Sequence, residues 1–270
     1  MSHKAVLTEY DIAAPQLNAP TKIALVSDLH ERKADDIIVL IRTAKPDFIA
    51  IAGDTFERYD NEANKPHKTS RFNLPKWILI NTAYYVNKFL MLFFGRNNKA
   101  DTQLTYEFLR QASKIAPVFM SLGNHEEKLS DEDYKIIGDL NIKLLENCDT
   151  TFRVNGNTLR IGGKSTFYGE EWLKNFAGKD GYKILLCHHP EYFDELIKDK
   201  NINLTLSGHN HGGQIRIFGK GFLSSGQGLF PKYDRGVFEN RLVVSTGCSN
   251  TVAMPRWKNP RELVIINLKN

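Results

Sequence analysis

This sequence has few cysteines and little net charge, and each scarcity excludes a class of protein. Three widely spaced cysteines, Cys148, Cys187 and Cys248, form neither a disulfide framework nor a zinc knuckle, which favours reduced thiols. Lys and Arg number 36 against 31 Asp and Glu, and this net charge of +5 is too small and too dispersed to predict nucleic-acid binding. A hydrophobic content of 41% in 270 residues excludes general disorder and allows one large domain or two small ones.

Short apolar runs alternate with helical patterns along the chain. Residues 22–27 and 47–52 are rich in Ile and Val, which is typical of buried strands, and Asp35–Ala44 between them has helical spacing. This order predicts a parallel β-α-β unit with functional loops at the carboxyl ends of its strands. Further strands are predicted at 117–122, 143–145, 151–154, 158–161, 182–187 and 204–206 and in the C-terminal third, and helices at 102–116, 131–140 and 191–198.

Polar residues with metal-binding side chains follow five of these strands. The five loops contain, in chain order, Asp28-Leu29-His30, Gly53-Asp54, Gly123-Asn124-His125-Glu126, His188-His189-Pro190 and Gly208-His209-Asn210-His211. Six of the eight histidines lie there, and only His3 and His67 lie elsewhere. Carboxylate, amide and imidazole donors suit Mn, Fe and Zn, so the set predicts a metal site.

The spacing inside these loops supports the same interpretation. In Asp-x-His and His-x-His, residues i and i+2 of a strand end point the same way, and the adjacent glycines let backbone pass close to an ion. His189 is the exception, because adjacent residues at a strand end point apart. We therefore expect His188 to be a ligand and His189 to be an ordinary satisfied polar residue.

The ordered blocks D-L-H, G-D, G-N-H-E, H-H-P and G-H-N-H resemble the calcineurin-like metallophosphoesterase superfamily. That family has D-x-H, G-D, G-N-H-D/E, H and G-H-x-H in the same order, and here the blocks span residues 28–211. The G-H-N-H-G-G-Q block and the Gly-rich stretch up to 243–247 resemble a bacterial branch of stand-alone phosphoesterases. The resemblance implies an α/β fold, a four-layer αββα sandwich of two mixed sheets flanked by helices, over a single domain at 1–270.

The resemblance also implies roles for individual residues. Asp28, His30 and His211 would hold a first metal ion, Asn124, His188 and His209 a second, and Asp54 would bridge the two. His125 would lie over the substrate as a general acid that protonates the leaving group. Arg32 would contact the transferred phosphoryl group, or would be an ordinary solvated loop arginine.

The implied activity is that of a metal-dependent phosphoric ester hydrolase. Two divalent ions, Mn, Fe or Zn, would neutralise the phosphoryl oxygens and activate a bridging hydroxide for in-line attack. The expected substrate is a small-molecule or lipid-linked phosphodiester, pyrophosphate or phosphomonoester. A non-catalytic scaffold is disfavoured because all seven ligand positions are filled, and a nuclease because no Lys/Arg run or aromatic-basic interleaving is present.

Residues 56–101 interrupt the strand-helix rhythm and predict a cap-like helical insertion. Its stretch from Trp77 to Phe94 is strongly apolar, and as a helix it would carry Asn81 and Lys88 on one narrow polar stripe. Three alternatives stay open: a cap helix over the core, an interfacial helix that leans into a membrane, and a dimer surface. A full membrane span is disfavoured by the polar residues Asn81, Thr82, Asn87 and Lys88.

The insertion bears on substrate and location. An apolar lid beside a dimetal site is similar to that of the UDP-2,3-diacylglucosamine pyrophosphohydrolases of lipid A synthesis, so a lipid-linked pyrophosphate hydrolase is the alternative function. The N-terminus has no basic segment followed by an apolar one, so no signal peptide is predicted. We expect a cytoplasmic protein, free or peripheral at the inner face of the membrane.

Overall fold

A computed structural model describes residues 4–58, 100–166, 168–224, 227–249 and 256–270. Its helices are α1 Asp35–Ala44, α2 Thr102–Ser113, α3 Asp131–Asp139 and α4 Glu170–Ala177, with a π-helical turn at Phe193–Ile197 and a 3₁₀ turn at His211–Gly213. Its strands are β1 Val6–Ala13, β2 Thr21–Val26, β3 Phe48–Ala52, β4 Val118–Ser121, β5 Lys143–Leu144, β6 Cys148–Val154, β7 Asn157–Lys164, β8 Tyr182–Cys187, β9 Leu204–Ser207, β10 Arg216–Ile217, β11 Lys220–Gly221, β12 Leu223–Ser224, β13 Gly228–Leu229, β14 Gly236–Phe238, β15 Leu242–Val244 and β16 Glu262–Lys269.

Within these described ranges the strands form two large mixed sheets of six strands each. The first has the order β1-β16-β2-β3-β4-β5, with β2 to β5 parallel and β16 antiparallel to β2. The second has the order β14-β15-β9-β8-β7-β6, with four parallel strands between antiparallel edges. The predicted β-α-β unit is confirmed, since β2 and β3 are parallel neighbours on either side of α1.

Strand alternation explains the four layers. In β2, Ile23 and Leu25 face the second sheet, whereas Ala24 and Val26 face the helices. The first sheet packs on α1, α2 and α3. The second packs on α4 and the π-helical turn. The αββα sandwich of two mixed sheets flanked by helices is therefore confirmed.

Most predicted elements are present, with informative differences. α1 and β8 have their predicted bounds, and Ser130 caps α3, where its hydroxyl accepts a hydrogen bond from the Asp133 amide at 3.1 Å. Helix α4 was not predicted, because it has only eight residues and Gly169 at its N-cap. The predicted helix at 191–198 is instead a π-helical turn, closed by a bond from the Lys198 amide to the Phe193 carbonyl.

The predicted insertion lies mostly outside the described residues, since 59–99, including the stretch from Trp77 to Phe94, belong to none of the described ranges. Its two ends are described. The Arg58 amide donates to the His125 carbonyl at 2.7 Å, and the Asp101 amide donates to the Glu31 carbonyl at 3.0 Å. The chain thus leaves and rejoins the domain beside the predicted metal loops. Its role as cap, interfacial helix or dimer surface stays a prediction.

Among the described residues, no helix has the length and apolar character required to cross a bilayer.

Candidate metal centre

The carboxyl ends of parallel strands from both sheets meet at one edge of the sandwich. Strands β2, β3 and β4 bring their loops there from the first sheet, and β8 and β9 from the second. A hydrogen bond joins the sheets at this point: His188 Nδ1, after β8, lies 2.7 Å from the carbonyl oxygen of Ala52, the last residue of β3. This bond leaves Nε2 of His188 facing the carboxylates of the other loops.

Asp28, His30 and His211 form a first donor cluster. Oδ1 of Asp28 lies 3.9 Å from Nε2 of His30 and 3.5 Å from Nε2 of His211. Asp28 and His30 are fully buried, and the three donor atoms are close enough together to hold one ion. The family resemblance assigns the same three residues to one metal ion, and that assignment stays a prediction.

Asp54, His188 and His209 form a second cluster next to the first. Oδ2 of Asp54 lies 3.0 Å from Nε2 of His188 and 3.6 Å from Nε2 of His30, so this carboxylate stands between the two clusters. Asn124 follows Gly123 in the loop after β4, and the next amide, that of His125, donates to Oδ1 of Asp54 at 3.0 Å.

Unpartnered buried atoms test whether these residues suit a metal. Oδ2 of Asp28, Nε2 of His30 and Oδ1 of Asn124 are buried and have no hydrogen-bond partner among the described residues. Buried polar atoms are almost always paired, so an unpaired group of this kind requires an explanation. A divalent ion would supply the partner, and the carboxylate, amide and imidazole donors match Mn, Fe or Zn.

Protonation states suit coordination at four of the proposed ligands but not at His188. Burial opposes the proton on His188, yet Asp54 and Asp28 outweigh burial and raise its pKa to about 10, so this ring would release a proton on binding an ion. Burial opposes ionisation of Asp28 and Asp54, but the surrounding histidines outweigh it and hold both pKa values below the usual range. Burial lowers the pKa of His211 to about 3 and that of His209 well below its ordinary value, so both rings are neutral at pH 7. Neutral imidazole and ionised carboxylate are the forms that bind metal.

His125 stands at the more open side of the centre, with its side chain 30% exposed. Its Nδ1 lies 2.9 Å from Oε2 of Glu57, and its Nε2 lies 3.9 Å from Oδ2 of Asp54. Burial would lower its pKa, but these two carboxylates outweigh burial and raise the pKa to about 9. The ring therefore carries a proton at neutral pH.

Glu57 was not anticipated from the sequence. Its second oxygen, Oε1, lies 2.9 Å from Nδ1 of His30, so one carboxylate orients both His30 and His125. Burial opposes its ionisation, yet hydrogen bonds to the two histidines lower its pKa to about 2. The available signal was an acidic residue three positions after Asp54, and nothing in the sequence distinguished it from a surface glutamate.

Arg256 and Asn259 were missed as well, since the metal motifs end at residue 211. Nη2 of Arg256 lies 3.1 Å from Nδ1 of His211, and burial lowers the pKa of this arginine to about 10. Nδ2 of Asn259 donates to the His211 carbonyl at 2.6 Å. The C-terminal segment therefore packs directly behind the last metal loop.

The ligands converge for a different reason from the one expected. Asp28, His30 and Asp54 have φ of 56°, 50° and 54°, and His209 and His211 have 69° and 44°. They lie in left-handed turns beyond the strand ends, so strand alternation of residues i and i+2 is the wrong explanation. Non-glycine residues rarely adopt this conformation, and such strain is concentrated at functional sites.

Two glycines permit the close approach of these turns. A Cβ on Gly53, where φ is +81°, would lie 2.7 Å from Nδ1 of His188. A Cβ on Gly123 would lie 2.1 Å from Oδ1 of Asp54. The expectation that glycine brings backbone close to the centre agrees with this geometry.

His189 and Arg32 belong to neither of the two donor clusters described above. Nδ1 of His189 lies 3.0 Å from Oε1 of Glu191, but its Nε2 is buried without a hydrogen-bond partner among the described residues. The donor atoms of His189, Glu191 and His209 are close enough together to hold an ion, and the ring centroids of His189 and His209 lie 4.0 Å apart. The expectation of an ordinary satisfied polar residue is therefore not met. Arg32 is half-buried in the loop after His30, and its amide donates to the Leu29 carbonyl at 3.0 Å. Its contact with substrate stays a prediction.

Comparison with known proteins identifies the class. The family model described as Calcineurin-like phosphoesterase matches residues 21–213, which is most of the chain, and the chain belongs to this family.

Three relatives match this chain with similar identity but over different shares of their length. YpbG of Bacillus subtilis (strain 168) is 26% identical over 208 residues, covering 74% of this chain and 64% of that protein. Phosphodiesterase YaeI of Escherichia coli (strain K12) is 23% identical over 210 residues, covering 74% and 63%. A metallophosphoesterase of Aquifex aeolicus (strain VF5) is 28% identical over 277 residues, covering 97% and 90%. The chain therefore spans less than two thirds of the length of YpbG and of YaeI.

Proposed function

We propose that the protein is a dimetal-dependent phosphoesterase that hydrolyses a phosphodiester, a pyrophosphate or a phosphomonoester. The observation that carries this proposal is the meeting of two donor clusters on either side of one carboxylate, that of Asp54. Membership of the calcineurin-like phosphoesterase family supports the reaction class.

In the proposed assignment, Asp28, His30 and His211 hold one ion, Asn124, His188 and His209 hold the other, and Asp54 is shared. The donor distances of 3.0–4.0 Å around Asp28 and Asp54 support it. The unpartnered Oδ1 of Asn124 supports the amide as a ligand. Mn is our first choice for assay, although the donor set suits Fe and Zn equally.

When bound, two such ions supply charge neutralisation for the phosphoryl oxygens and an activated water for attack. The leaving oxygen needs a proton, and the protein supplies it from His125, whose Nδ1 is held by Glu57 and whose Nε2 points into the centre. Asp54 keeps the His125 backbone in place through Oδ1. YaeI is named a phosphodiesterase, which favours a diester among the three substrate classes.

The first experiment is metal content of the purified protein, together with hydrolysis of para-nitrophenyl phosphate and bis-para-nitrophenyl phosphate under added Mn. We expect two metals per chain and diester turnover, with both lost in Asp54→Asn. His125→Gln should keep the metals and lose about 10²–10⁴-fold in rate. A wild type that binds no metal and stays inactive with Mn would contradict the proposal and favour a scaffold of the same fold.

A lipid-linked pyrophosphate is the second candidate substrate. It is supported by the apolar stretch from Trp77 to Phe94 in the sequence. The insertion that contains this stretch leaves and rejoins the described chain beside the centre, at Arg58 and Asp101. Deleting residues 76–96 should abolish turnover of a lipid-linked diphosphate in detergent and spare bis-para-nitrophenyl phosphate. Equal loss of both activities would count against this substrate.

A further inference from the structure

A group of exposed apolar side chains lies on the loops that follow His211. Phe218 is 102% exposed, Phe230 is 59%, Trp257 is 53% and Leu229 is 42%. We call these four residues the aromatic edge. Most large apolar side chains of the described chain are buried, so a cluster of this kind marks a site of interaction.

Backbone hydrogen bonds make the aromatic edge one continuous structure. The Arg216 amide donates to the Trp257 carbonyl at 3.0 Å, the Phe222 amide to the Ile215 carbonyl at 2.8 Å, and the Phe230 amide to the Phe222 carbonyl at 2.9 Å. The rings of Phe222 and Phe230 also pack edge to face at 5.5 Å. Trp257, Phe218 and Phe230 are therefore carried by neighbouring segments, namely two separate two-stranded sheets, β10-β11 and β12-β13, and a bridge from Ile215 to Trp257, which together we call the layer.

The layer is attached to the metal centre. It begins at Gln214, directly after the 3₁₀ turn that carries His211. Nδ2 of Asn259, two residues after Trp257, bonds the carbonyls of His211 and Gln214 at 2.6 and 3.2 Å. A partner that binds the aromatic edge would therefore lie next to the metal centre.

Two of the four residues have a backbone conformation that bulky side chains rarely adopt. Phe218 and Phe230 have φ of 49° and 51°, a left-handed conformation in which Asn or Gly is favoured and a bulky ring is an outlier. Phe218 is fully exposed, so no burial against the described residues offsets that cost. Contact with a surface beyond the described residues would account for the exposed rings.

The segments that carry the aromatic edge are basic in sequence, although an acidic residue, Asp234 or Glu262, directly follows each of them. Segments 212–233 and 249–261 contain no Asp or Glu; their basic residues are Arg216, Lys220, Lys232, Arg256, Lys258 and Arg261. Arg216, Lys232 and Arg261 form ion pairs with acidic residues from other segments. Lys220 and Lys258 are exposed, and the Lys258 ammonium lies 4.8 Å from the centre of the Trp257 ring. An apolar surface flanked by exposed lysines is complementary to an anionic, partly apolar partner.

We propose that the aromatic edge docks on an anionic lipid bilayer. Trp and Phe rings favour the boundary between headgroups and acyl chains, and lysines beside them are attracted to anionic headgroups. Nucleic acid is a poorer match, because it needs several unpaired cations along its backbone, whereas three of the six basic side chains here are already paired. The full exposure of Phe218 indicates a protruding wedge, which suits a fluid surface.

Docking would place the metal centre at headgroup level, where a phosphate ester of a lipid is found. This second step rests on the proposed function, whereas docking itself does not. Binding to vesicles and turnover of bis-para-nitrophenyl phosphate are therefore measured on the same samples, so that failure of one is distinguishable from failure of the other.

The test is flotation of the full chain with phosphatidylcholine vesicles, with and without phosphatidylglycerol. We expect the wild type to float with the anionic vesicles and to be released by salt. Phe218→Asn combined with Phe230→Asn should lower the bound fraction at least about tenfold, since two rings leave the membrane. Asn suits both left-handed positions, so this variant should fold and keep diester turnover.

Two further variants test the role of charge and the specificity of the surface. Lys220→Glu with Lys258→Glu should remove the preference for anionic vesicles, and Val39→Asn, at a 56% exposed position on α1, should bind like the wild type. Absence of wild-type binding, or equal binding by the double Phe variant, would overturn the proposal. Loss in that variant of oligonucleotide binding or of dimerisation, without vesicle binding by the wild type, would assign the surface to those partners instead.

Discussion

At the scale of single residues, one carboxylate organises two histidines of different roles. Glu57 bonds Nδ1 of His30, a proposed ligand, and Nδ1 of His125, the proposed general acid. Partners of this kind fix the orientation of a ligand ring and its tautomer. The rate and the metal affinity should therefore both depend on a residue that touches neither substrate nor metal.

Replacing Glu57 with Gln tests this dependence. Because Gln cannot accept from both rings, we expect metal affinity and diester turnover to fall by about 10–100-fold. Equilibrium dialysis and kcat under saturating Mn measure the two losses separately. Glu107→Gln, at an exposed position of α2 away from the donor clusters, is the control. A Glu57→Gln variant with unchanged metal affinity and kcat would show that the carboxylate is dispensable.

A second prediction for a single residue concerns how closely the backbone at Gly123 approaches Asp54. In Gly123→Ala the new methyl group would lie 2.1 Å from Oδ1 of Asp54, so the shared carboxylate must move. We expect loss of metal binding and a fall of roughly 1–3 kcal/mol in the free energy of unfolding.

Gly138→Ala is the matched control for that substitution. Gly138 lies in α3, and a Cβ there meets no atom within 4 Å. This variant should bind metal normally and be about 0.5–1 kcal/mol more stable, because Ala favours helix. Urea unfolding and metal content, measured on both variants, test this difference in stability and metal binding. Similar behaviour of the two variants would mean that the loop after β4 is not tightly packed.

At the scale of elements, Asp133 connects two helices and the segment that leaves the centre. Its carboxylate accepts hydrogen bonds from Nε and Nη2 of Arg58 at 2.8 and 3.0 Å, and from the Tyr106 hydroxyl of α2 at 2.8 Å. It also closes the N-terminal cap of α3 with Ser130. Helix α3, helix α2 and the chain at Arg58 are therefore held by one buried group.

Asp133→Asn should weaken this junction. We expect a loss of about 2–3 kcal/mol in the free energy of unfolding, because Arg58 loses one of its two charged partners and keeps only Glu31. Asp131→Asn, at an exposed position of the same helix turn, should cost far less. Denaturant unfolding gives both values. Equal values for the two variants would show that the junction contributes little.

The pH dependence of that difference has a definite sign. Burial opposes ionisation of Asp133, but the bonds from Arg58, Ser130 and Tyr106 lower its pKa below the ordinary 3.8. A depressed pKa in the folded state adds stability that is fully present above the unfolded value and is lost as pH falls through the folded value. The gap between wild type and Asp133→Asn should thus close below about pH 4. A gap that is constant down to pH 2 would contradict the ion pair as its source.

At the scale of the whole molecule, metal binding should stabilise the sandwich, since the ligands come from loops of both sheets. An ion that binds only the folded state stabilises it by about 2.7 kcal/mol at a hundred times its Kd. For a chain of this size, chelation should then lower the thermal midpoint by about 5–10 °C. Differential scanning calorimetry with Mn and with chelator measures this shift. A shift of the same size in Asp54→Asn would place the stabilising ion elsewhere.

Much of the fold and of the candidate site was predictable from the sequence. Hydrophobic runs located β2, β3, β4, β8 and β9, because buried parallel strands are apolar on both faces. Since the carboxyl ends of parallel strands share an edge, the polar residues that follow them could be grouped before the structure was known. Short elements such as α4, and the left-handed turns that carry the ligands, have no comparable pattern.

Residue types and their order along the chain therefore determined which side chains gather and which metals suit them, because donor chemistry is a property of the residues themselves. Tertiary structure alone decided the contacts between distant positions. Glu57 meets His125 from 68 residues away, and Arg256 meets His211 from 45. The aromatic edge likewise exists only once Trp257 pairs beside Ile215. Such contacts depend on how the loops pack after the strands have set the edge, and no periodicity in the sequence encodes that packing.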